Sequence, residues 1–374
     1  MTNIQNSSLV YPAGAVRITK MHGLDNDPAE SVSLPDILDA ANLRYALLTA
    51  YLVDEEWLLS HIGPATNVTL VLSGTPPSGN AVSSDSGVTR VYPELFKPEV
   101  QIMHSKLMLL FYAHHVRLVI STANLIKDDW SIMQNAVFIQ DFPLVPDTVV
   151  KANQFKRLSR VISDIKGTTN ADVESLEPDV RLYCSGSSMG RLDRRWLWEF
   201  YLAALGVDLQ STSRHLLTSS ISDKMVDIAV AFHTEEQAAG CRYGDQCRQH
   251  IMCSQEIYEA KEFPKDMLFR LEPRFADTLV HAKLILARTG VDQKHGWMYI
   301  GSHNFGPAAW GRVYQDRKPY FNNYELGVVI PDAEFRSLLG NETAVFWKGE
   351  QVPLPFKAVW EPYGRGDTPV ISKQ

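Results

Sequence analysis

Apolar residues along this chain fall into short runs, and two of those runs come in matched pairs. Residues 107–112 are answered across a polar turn by 116–120, and residues 284–287 by 297–300. Short apolar runs bounded by turn residues predict strands, and each pair predicts a β-hairpin. Further strands are expected at 68–72, 135–139 and 180–183. Helical spacing is read in three places. Residues 34–52 show an amphipathic pattern leading into Asp54-Glu55-Glu56-Trp57. Residues 147–165 would turn Val149, Val150, Phe155, Leu158 and Ile162 inward behind an Asp147 N-cap, and a third helix is expected around 196–205. The Gly-, Pro- and Ser-rich stretch 74–88 reads as a loop, and the polar, aperiodic stretch 166–178 as a linker. Residues 185–190 read as a small-residue turn. Residues 240–265 have the least regular pattern and are a candidate wall of a cleft. Strands alternating with helices on both sides of the linker predict an α/β protein, with α/β/α layers in each of two domains, 1–168 and 169–374.

The hairpins carry chemistry. His104-Ser105-Lys106 stands immediately before the first, which runs into Ser121-Thr122-Ala123-Asn124, with Trp130 six positions beyond that Asn. His281-Ala282-Lys283 stands before the second, which runs into Gly301-Ser302-His303-Asn304, with Trp310 at the same interval. The copies begin at 104 and 281, 177 residues apart and close to half of the 374-residue chain. A repeat at half the length, carrying the same reactive side chains twice, predicts one site built from two similar halves. On a strand, positions i and i+2 point to one face, so each half would present an imidazole, an ammonium and a carboxamide together. Lys and Asn donate to anionic oxygens, and His serves as nucleophile or acid/base near neutral pH. Such a doubled set suits in-line displacement at phosphorus, where positioning and charge stabilisation dominate. An ammonium within an apolar strand is costly unless an anion meets it, which argues against a merely structural role for Lys106 and Lys283. His22, His61, His114, His115, His215, His233 and His295 are read as structural.

The pattern resembles the phospholipase D superfamily, although the Asp usual five positions after each Lys is replaced by Phe111 and Arg288. The His-x-Lys triplet with a downstream Asn resembles the tyrosyl-DNA phosphodiesterase 1 family more closely. SerThrAlaAsnLeuIle at 121–126 with Asp129-Trp130, AlaAlaTrpGly at 308–311, TyrGluLeuGlyVal at 324–328 and the tail from Trp360-Glu361-Pro362-Tyr363 to Gly366-Asp367-Thr368-Pro369 carry the same resemblance, from about residue 10 to the end. It implies two phospholipase D-type α/β/α sandwich domains related by pseudo-two-fold symmetry. It also implies a DNA repair phosphodiesterase that hydrolyses 3′-phosphotyrosyl ends, such as those left by a trapped topoisomerase I.

Which imidazole attacks is not given by the residues themselves. The resemblance implies that His104 is the nucleophile, forming a phosphohistidine bond to the DNA 3′ end, and that His281 is the general acid and then the base for water. Lys106, Lys283, Asn124 and Asn304 would bind the non-bridging oxygens. An orienting Glu for the first His matches Glu325. The family's orienting Gln for the second falls on Asn135, with Gln134 immediately before it, so either residue is a candidate. Ser187, Ser188 and His303 are expected to line the substrate site. The aromatic that stacks on a base four residues before the nucleophile in the animal enzymes is Val100 here, so stacking would come from elsewhere. The family's long N-terminal regulatory extension has no counterpart, so the chain reads as essentially a catalytic core.

Composition bounds these readings. Hydrophobic residues at 45% and charged residues at 21% describe an ordinary globular chain, and neither an 18-residue apolar run nor a signal-peptide pattern is present, so no membrane association or secretion is expected. A net charge of −7 argues against a general nucleic-acid coat and leaves room for a local basic groove, to which 151–160 and 191–195 are candidate contributors. Cys184 stands alone, and Cys241, Cys247 and Cys253 do not have the paired spacing of structural zinc sites; reduced thiols and no metal or other cofactor are expected. The expected partner is a DNA 3′ end, single-stranded or duplex, bearing a tyrosyl or peptide adduct. A monomer and a nuclear location are expected. Two further readings stand beside this one: another phospholipase D superfamily phosphodiesterase or nuclease, and an inactive DNA-end binding module.

Overall fold

The structure is a computed structural model that describes residues 9–76, 79, 81–95, 97, 101–144, 180–209, 226–313, 319–337 and 343–372. The helix expected at 147–165, the linker at 166–178 with the domain boundary inside it, the basic run 151–160, His215 and Val100 lie outside the described residues.

Both hairpins form, and each becomes the middle of a mixed sheet. In the first, Leu107–Phe111 and His115–Ser121 pair antiparallel; in the second, Leu284–Thr289 and His295–Gly301 do the same. The nine-stranded first sheet places Tyr45–Thr49, Asn67–Val71 and Val88–Val91 on one side of its hairpin and Ala136–Pro143 on the other. The eight-stranded second sheet places Val180–Ser185, Ile228–Phe232 and Leu268–Arg270 on one side and Gly327–Ser337 on the other. The pairing sense matches strand for strand. Two parallel pairs lead to an antiparallel junction with the hairpin, and a further antiparallel strand follows it. The two halves are therefore one topology used twice, in the phospholipase D-type arrangement that the family resemblance implied. No helix among the described residues is long and apolar enough to cross a membrane.

The main departure from the sequence reading is at 34–52. A short helix, Leu34–Leu38, is followed by the strand Tyr45–Thr49. Ser33 and Asp36 form a capping box, Pro35 opens the first turn, and Asp39 ends the helix in the left-handed region at φ 42°. The strand then buries Ala46 and Leu48 by alternation between two neighbours. Leu34, Ile37 and Leu38 at helical spacing, joined to Ala46 and Leu48 at strand spacing, imitate one long amphipathic helix. The third helix runs Arg194–Ala204, capped by Asp193, and buries Trp196, Leu197 and Tyr201. The irregular stretch 240–265 forms the short helices Asp245–Arg248 and Gln255–Glu259, just after the helix Glu235–Ala239.

The halves share cores. Val16, Ala136 and Phe138 of the first pack with Met298, Ile330 and Phe335 of the second, and Ile132 and Met133 join the cluster around Trp196 and Phe232. Beneath the first sheet lies a buried ion pair. Arg117 Nε lies 2.8 Å from Asp141 Oδ1, its Nη1 donates to the Ile37 carbonyl, and its guanidinium lies over the Tyr11 and Tyr112 rings. Burial raises the Asp141 carboxyl, but Arg117 and the amides of Val10 and Tyr11 outweigh burial and hold it below the ordinary carboxylate value. Asp141→Ala would strand a buried guanidinium and should destabilise the protein by about 3–5 kcal/mol in chemical denaturation. The carboxylate's share of stability is present above the unfolded pKa of about 3.9 and is lost as pH falls through the lower folded value, so the variant should lose less stability on acidification than the parent. A variant unchanged in midpoint would remove this pair from the account.

Candidate active site

Two short parallel ladders join the halves, and each delivers one histidine. Ile102–Met103 pairs with Asn323–Tyr324, and Leu279–Val280 pairs with Met133–Gln134. The next residue on one side of each ladder is the histidine, His104 or His281. The next on the other side is Glu325 or Asn135. The last rung is the same in both: the His104 amide donates to the Tyr324 carbonyl at 2.9 Å, and the His281 amide to the Gln134 carbonyl at 2.9 Å. Each imidazole is thus set beside a side chain of the opposite half by main-chain bonds. The His-x-Lys triplets occupy the gap between these ladders and the hairpins and are not themselves strand, contrary to the expectation from i, i+2 spacing.

Register decides which residue faces His281. Gln134 turns its amide to the Thr278 hydroxyl at 2.5 Å, while Asn135 Oδ1 lies 3.3 Å from His281 Nδ1. Consecutive residues of an extended chain point to opposite faces, so Gln134 cannot serve both places. In the other half the partner is a carboxylate: His104 Nδ1 lies 2.8 Å from Glu325 Oε2, and both side chains are buried. The second residue of each downstream motif fastens the facing residue. The Thr122 hydroxyl accepts the Ala136 amide at 3.0 Å and donates to Asn135 Oδ1 at 2.7 Å; the Ser302 hydroxyl accepts the Leu326 amide at 2.9 Å. Gly327, two residues past Glu325, makes room for the Tyr299 ring, since a Cβ there would lie 2.1 Å from it.

The lysines and asparagines repeat the symmetry. Lys106 Nζ donates to the His104 carbonyl at 2.8 Å, and Lys283 Nζ to the His281 carbonyl at 2.5 Å. Asn124 Oδ1 accepts the Leu52 amide at 3.3 Å, and Asn304 Oδ1 accepts the Ser187 and Ser188 amides at 3.1 and 3.0 Å. With each carbonyl oxygen held by backbone, the Nδ2 donor of each Asn is left for a ligand. The Trp six positions on has a local reason in the first copy, where the Trp130 indole donates to the Asn124 carbonyl at 2.7 Å. Ser187 spends its hydroxyl on Asn304 Oδ1 at 3.3 Å, which makes it a support for that Asn; half-buried Ser188 is beside it. His303 bonds the Tyr299 hydroxyl and stacks on Trp310 with centroids 4.1 Å apart, so it belongs to the packed wall.

Three residues near the imidazoles were not singled out by sequence. Tyr51, exposed, lies 5.5 Å from the His104 ring, centroid to centroid. His250, from the irregular stretch, meets the His281 ring edge-on at 6.1 Å and pairs with Asp128. Asp129 is fully buried, with Oδ2 3.4 Å from His281 Nδ1. The expectation that 240–265 forms a cleft wall pointed toward His250, and Asp129 entered only as part of the Asp129-Trp130 motif match.

Electrostatics ties the two sets into one site. Burial, then Lys106, lowers His104 to about 4 against the pull of Glu325, and Lys283 of the other half lowers it further. Burial, then Lys283, His250, Lys106 and His104, keeps His281 well below its ordinary value. Lys106 is drawn down to about 8 by burial. Glu325, which burial alone would raise, is brought to about 2 by the His104 hydrogen bond and the neighbouring cations. Both imidazoles are therefore neutral in the empty site at neutral pH. The His104 ring should titrate near pH 4 in a 15N-resolved spectrum, and Glu325→Gln should move it lower still by removing the anion. A midpoint at or above about 6, the ordinary range, would contradict this geometry.

Comparison with known proteins bears on the family and the fold. The profile of the family described as tyrosyl-DNA phosphodiesterase matches residues 15–157 and 151–364. The chain is 32% identical to Tyrosyl-DNA phosphodiesterase 1 of Arabidopsis thaliana, over 88% of this chain, and spans 63% of the length of that protein. The crystal structure of the yeast tyrosyl-DNA phosphodiesterase superposes with a TM-score of 0.64 at 16% identity, covering 96% of this chain and 100% of that one. A histidine-to-asparagine variant of the same yeast enzyme superposes at 0.66 and 15% identity, with the same coverage. The fold is therefore shared with these structures, and by its sequence the chain belongs to the tyrosyl-DNA phosphodiesterase family.

Proposed function

We propose that this protein is a DNA repair phosphodiesterase that removes tyrosyl and related adducts from DNA 3′ ends through a covalent phosphohistidine intermediate. The observation that carries the reading is the asymmetry imposed on a two-fold site: Glu325 stands against His104, and its counterpart against His281 is the neutral Asn135. A carboxylate on Nδ1–H makes Nε2 the richer electron donor and offsets the charge of an imidazolium that carries phosphorus. That favours His104 as nucleophile.

The first step forms a bond from His104 Nε2 to phosphorus and breaks the bond to the tyrosyl oxygen, which leaves opposite. His281 supplies that oxygen's proton. In the second step water attacks phosphorus, the P–N bond breaks with its electron pair returning to His104 Nε2, and His281 Nε2 takes the water's proton. Lys106, Lys283 and the Nδ2 groups of Asn124 and Asn304 hold the non-bridging oxygens and supply charge stabilisation that metals supply in other phosphoryl-transfer sites. Burial and Lys283 keep His281 neutral in the free site. The entering phosphodiester offsets the lysine charge and raises the imidazole's proton affinity when an acid is needed. One chain contains the whole constellation, which supports a monomer, and acting on chromosomal 3′ ends supports a nuclear location.

A 3′-phosphotyrosyl oligonucleotide offered in excess EDTA should be cleaved to a 3′-phosphate. Metal-dependent cleavage would favour another phosphodiesterase or nuclease, and binding without cleavage an inactive end-binding module. His104→Ala should abolish turnover with the fold intact. His281→Asn should still accept phosphorus, because a phenol of pKa about 10 departs with little acid assistance. The adduct should then accumulate as a shifted band on a denaturing gel, since no base remains for water. No trapped species from a folded, DNA-binding variant would remove His281 from the second step.

A further inference from the structure

The carboxylate missing from the His281 rung is present by another route. Asp129 stands five residues after Asn124, and the equivalent position after Asn304 is Ala309. Its side chain is fully buried. Oδ2 accepts the Asn124 amide at 2.5 Å and lies 3.4 Å from His281 Nδ1, while Oδ1 has no hydrogen-bond partner. Each imidazole therefore has a carboxylate near Nδ1, from places that the two-fold does not relate: Glu325 is hydrogen-bonded to His104 at 2.8 Å, whereas Asp129 stands off at 3.4 Å and the hydrogen bond to His281 Nδ1 is from Asn135. A buried carboxylate oxygen without a donor is costly unless a neighbouring positive charge compensates it.

The charged and titratable groups around His281 come from both halves. Lys283 lies on its own segment, with Nζ 3.1 Å from Nδ1 and 3.0 Å from Nε2. His250 meets it edge-on and is itself paired with Asp128. Lys106 and His104 act from across the site. Among the described residues, the groups that act on the ring directly, Asp129 apart, are cations, imidazoles and the neutral Asn135. Burial pushes the Asp129 carboxyl up and the Lys283 ammonium down, and each opposes part of the other's shift.

We propose that Asp129 is the positioning residue for His281, holding its Nδ1–H tautomer and balancing the imidazolium that forms when Nε2 takes a proton. Asn135 orients the ring and carries no charge to offset that proton. The kinetic part of this inference rests on the two-step reading above, in which adduct breakdown is the step where water's proton reaches His281.

Two measurements test it. In single-turnover reactions, Asp129→Asn should slow adduct breakdown about tenfold or more while changing adduct formation on a tyrosyl substrate less than about threefold. Removing the anion lowers the His281 pKa, so the acid limb of breakdown should move to lower pH. A residue that only fastened the Asn124 turn would slow both steps alike and leave the limb in place, and an unmoved limb overturns the proposal whatever the rates. The second measurement uses the unmodified protein without substrate: the His281 15N spectrum should show a proton on Nδ1, and a bare Nδ1 overturns the proposal even where the variant does not fold. Because that spectrum involves no catalysis, its outcome is separable from failure of the phosphodiesterase reading, which would show as no adduct from the parent protein.

Discussion

One kind of bond organises this molecule: the backbone rung by which each half holds the other's histidine segment. The His104 amide on the Tyr324 carbonyl and the His281 amide on the Gln134 carbonyl are the same contact made twice. A parallel register permits only whole-residue steps of side-chain placement, and a slip of one residue would turn the facing side chain to the opposite face. The ladders therefore fix at once which residue faces each imidazole and how the halves dock. The shared core of Phe138 and Val16 with Met298 and Phe335 keeps the ladders closed. Neither half alone contains a complete imidazole environment, which gives a physical reason for the two copies to remain joined.

The second constraint is charge in a dry place. Lys106 and Lys283 are buried, and so are the side chains of Glu325 and Asp129. Lys106 and Lys283 stand there with Glu325 and Asp129, and an entering phosphodiester brings a further negative charge for the lysines to meet. Interactions in such a site are stronger than in water because little solvent screens them. The same desolvation depresses both imidazoles and leaves His104 unprotonated as a nucleophile at neutral pH. Symmetry builds the cradle, and its local breaking, Glu325 against Asn135, divides the labour.

The sequence made legible whatever was encoded in repeated spacing. The hairpins, the two His/Lys/Asn sets and the family resemblance followed from residues at equal intervals, and Glu325 from a motif that could be matched. What was illegible depended on alternation or on contacts between distant segments. The helix–strand junction at Asp39 was hidden because Leu34, Ile37 and Leu38 blend with Ala46 and Leu48 into a single apparent period. The choice between Gln134 and Asn135 needed a register, which only the pairing with Leu279–Val280 supplies. Asp129 was visible only as a neighbour of Trp130, and His250 only as a residue among cysteines; neither has a repeat partner to mark it. Ser187 was expected to meet substrate, and its hydroxyl bond to Asn304 was not legible in the sequence.

The central claim is that a two-fold scaffold assigns the covalent role to one of two like histidines, and locating the phosphorus tests it most directly. The unmodified protein, quenched in alkali during turnover of a 3′-phosphotyrosyl oligonucleotide, would be digested and its nucleotide-bearing peptide sequenced by mass spectrometry. The account predicts the adduct on the peptide containing His104. An adduct on the peptide containing His281 would contradict it.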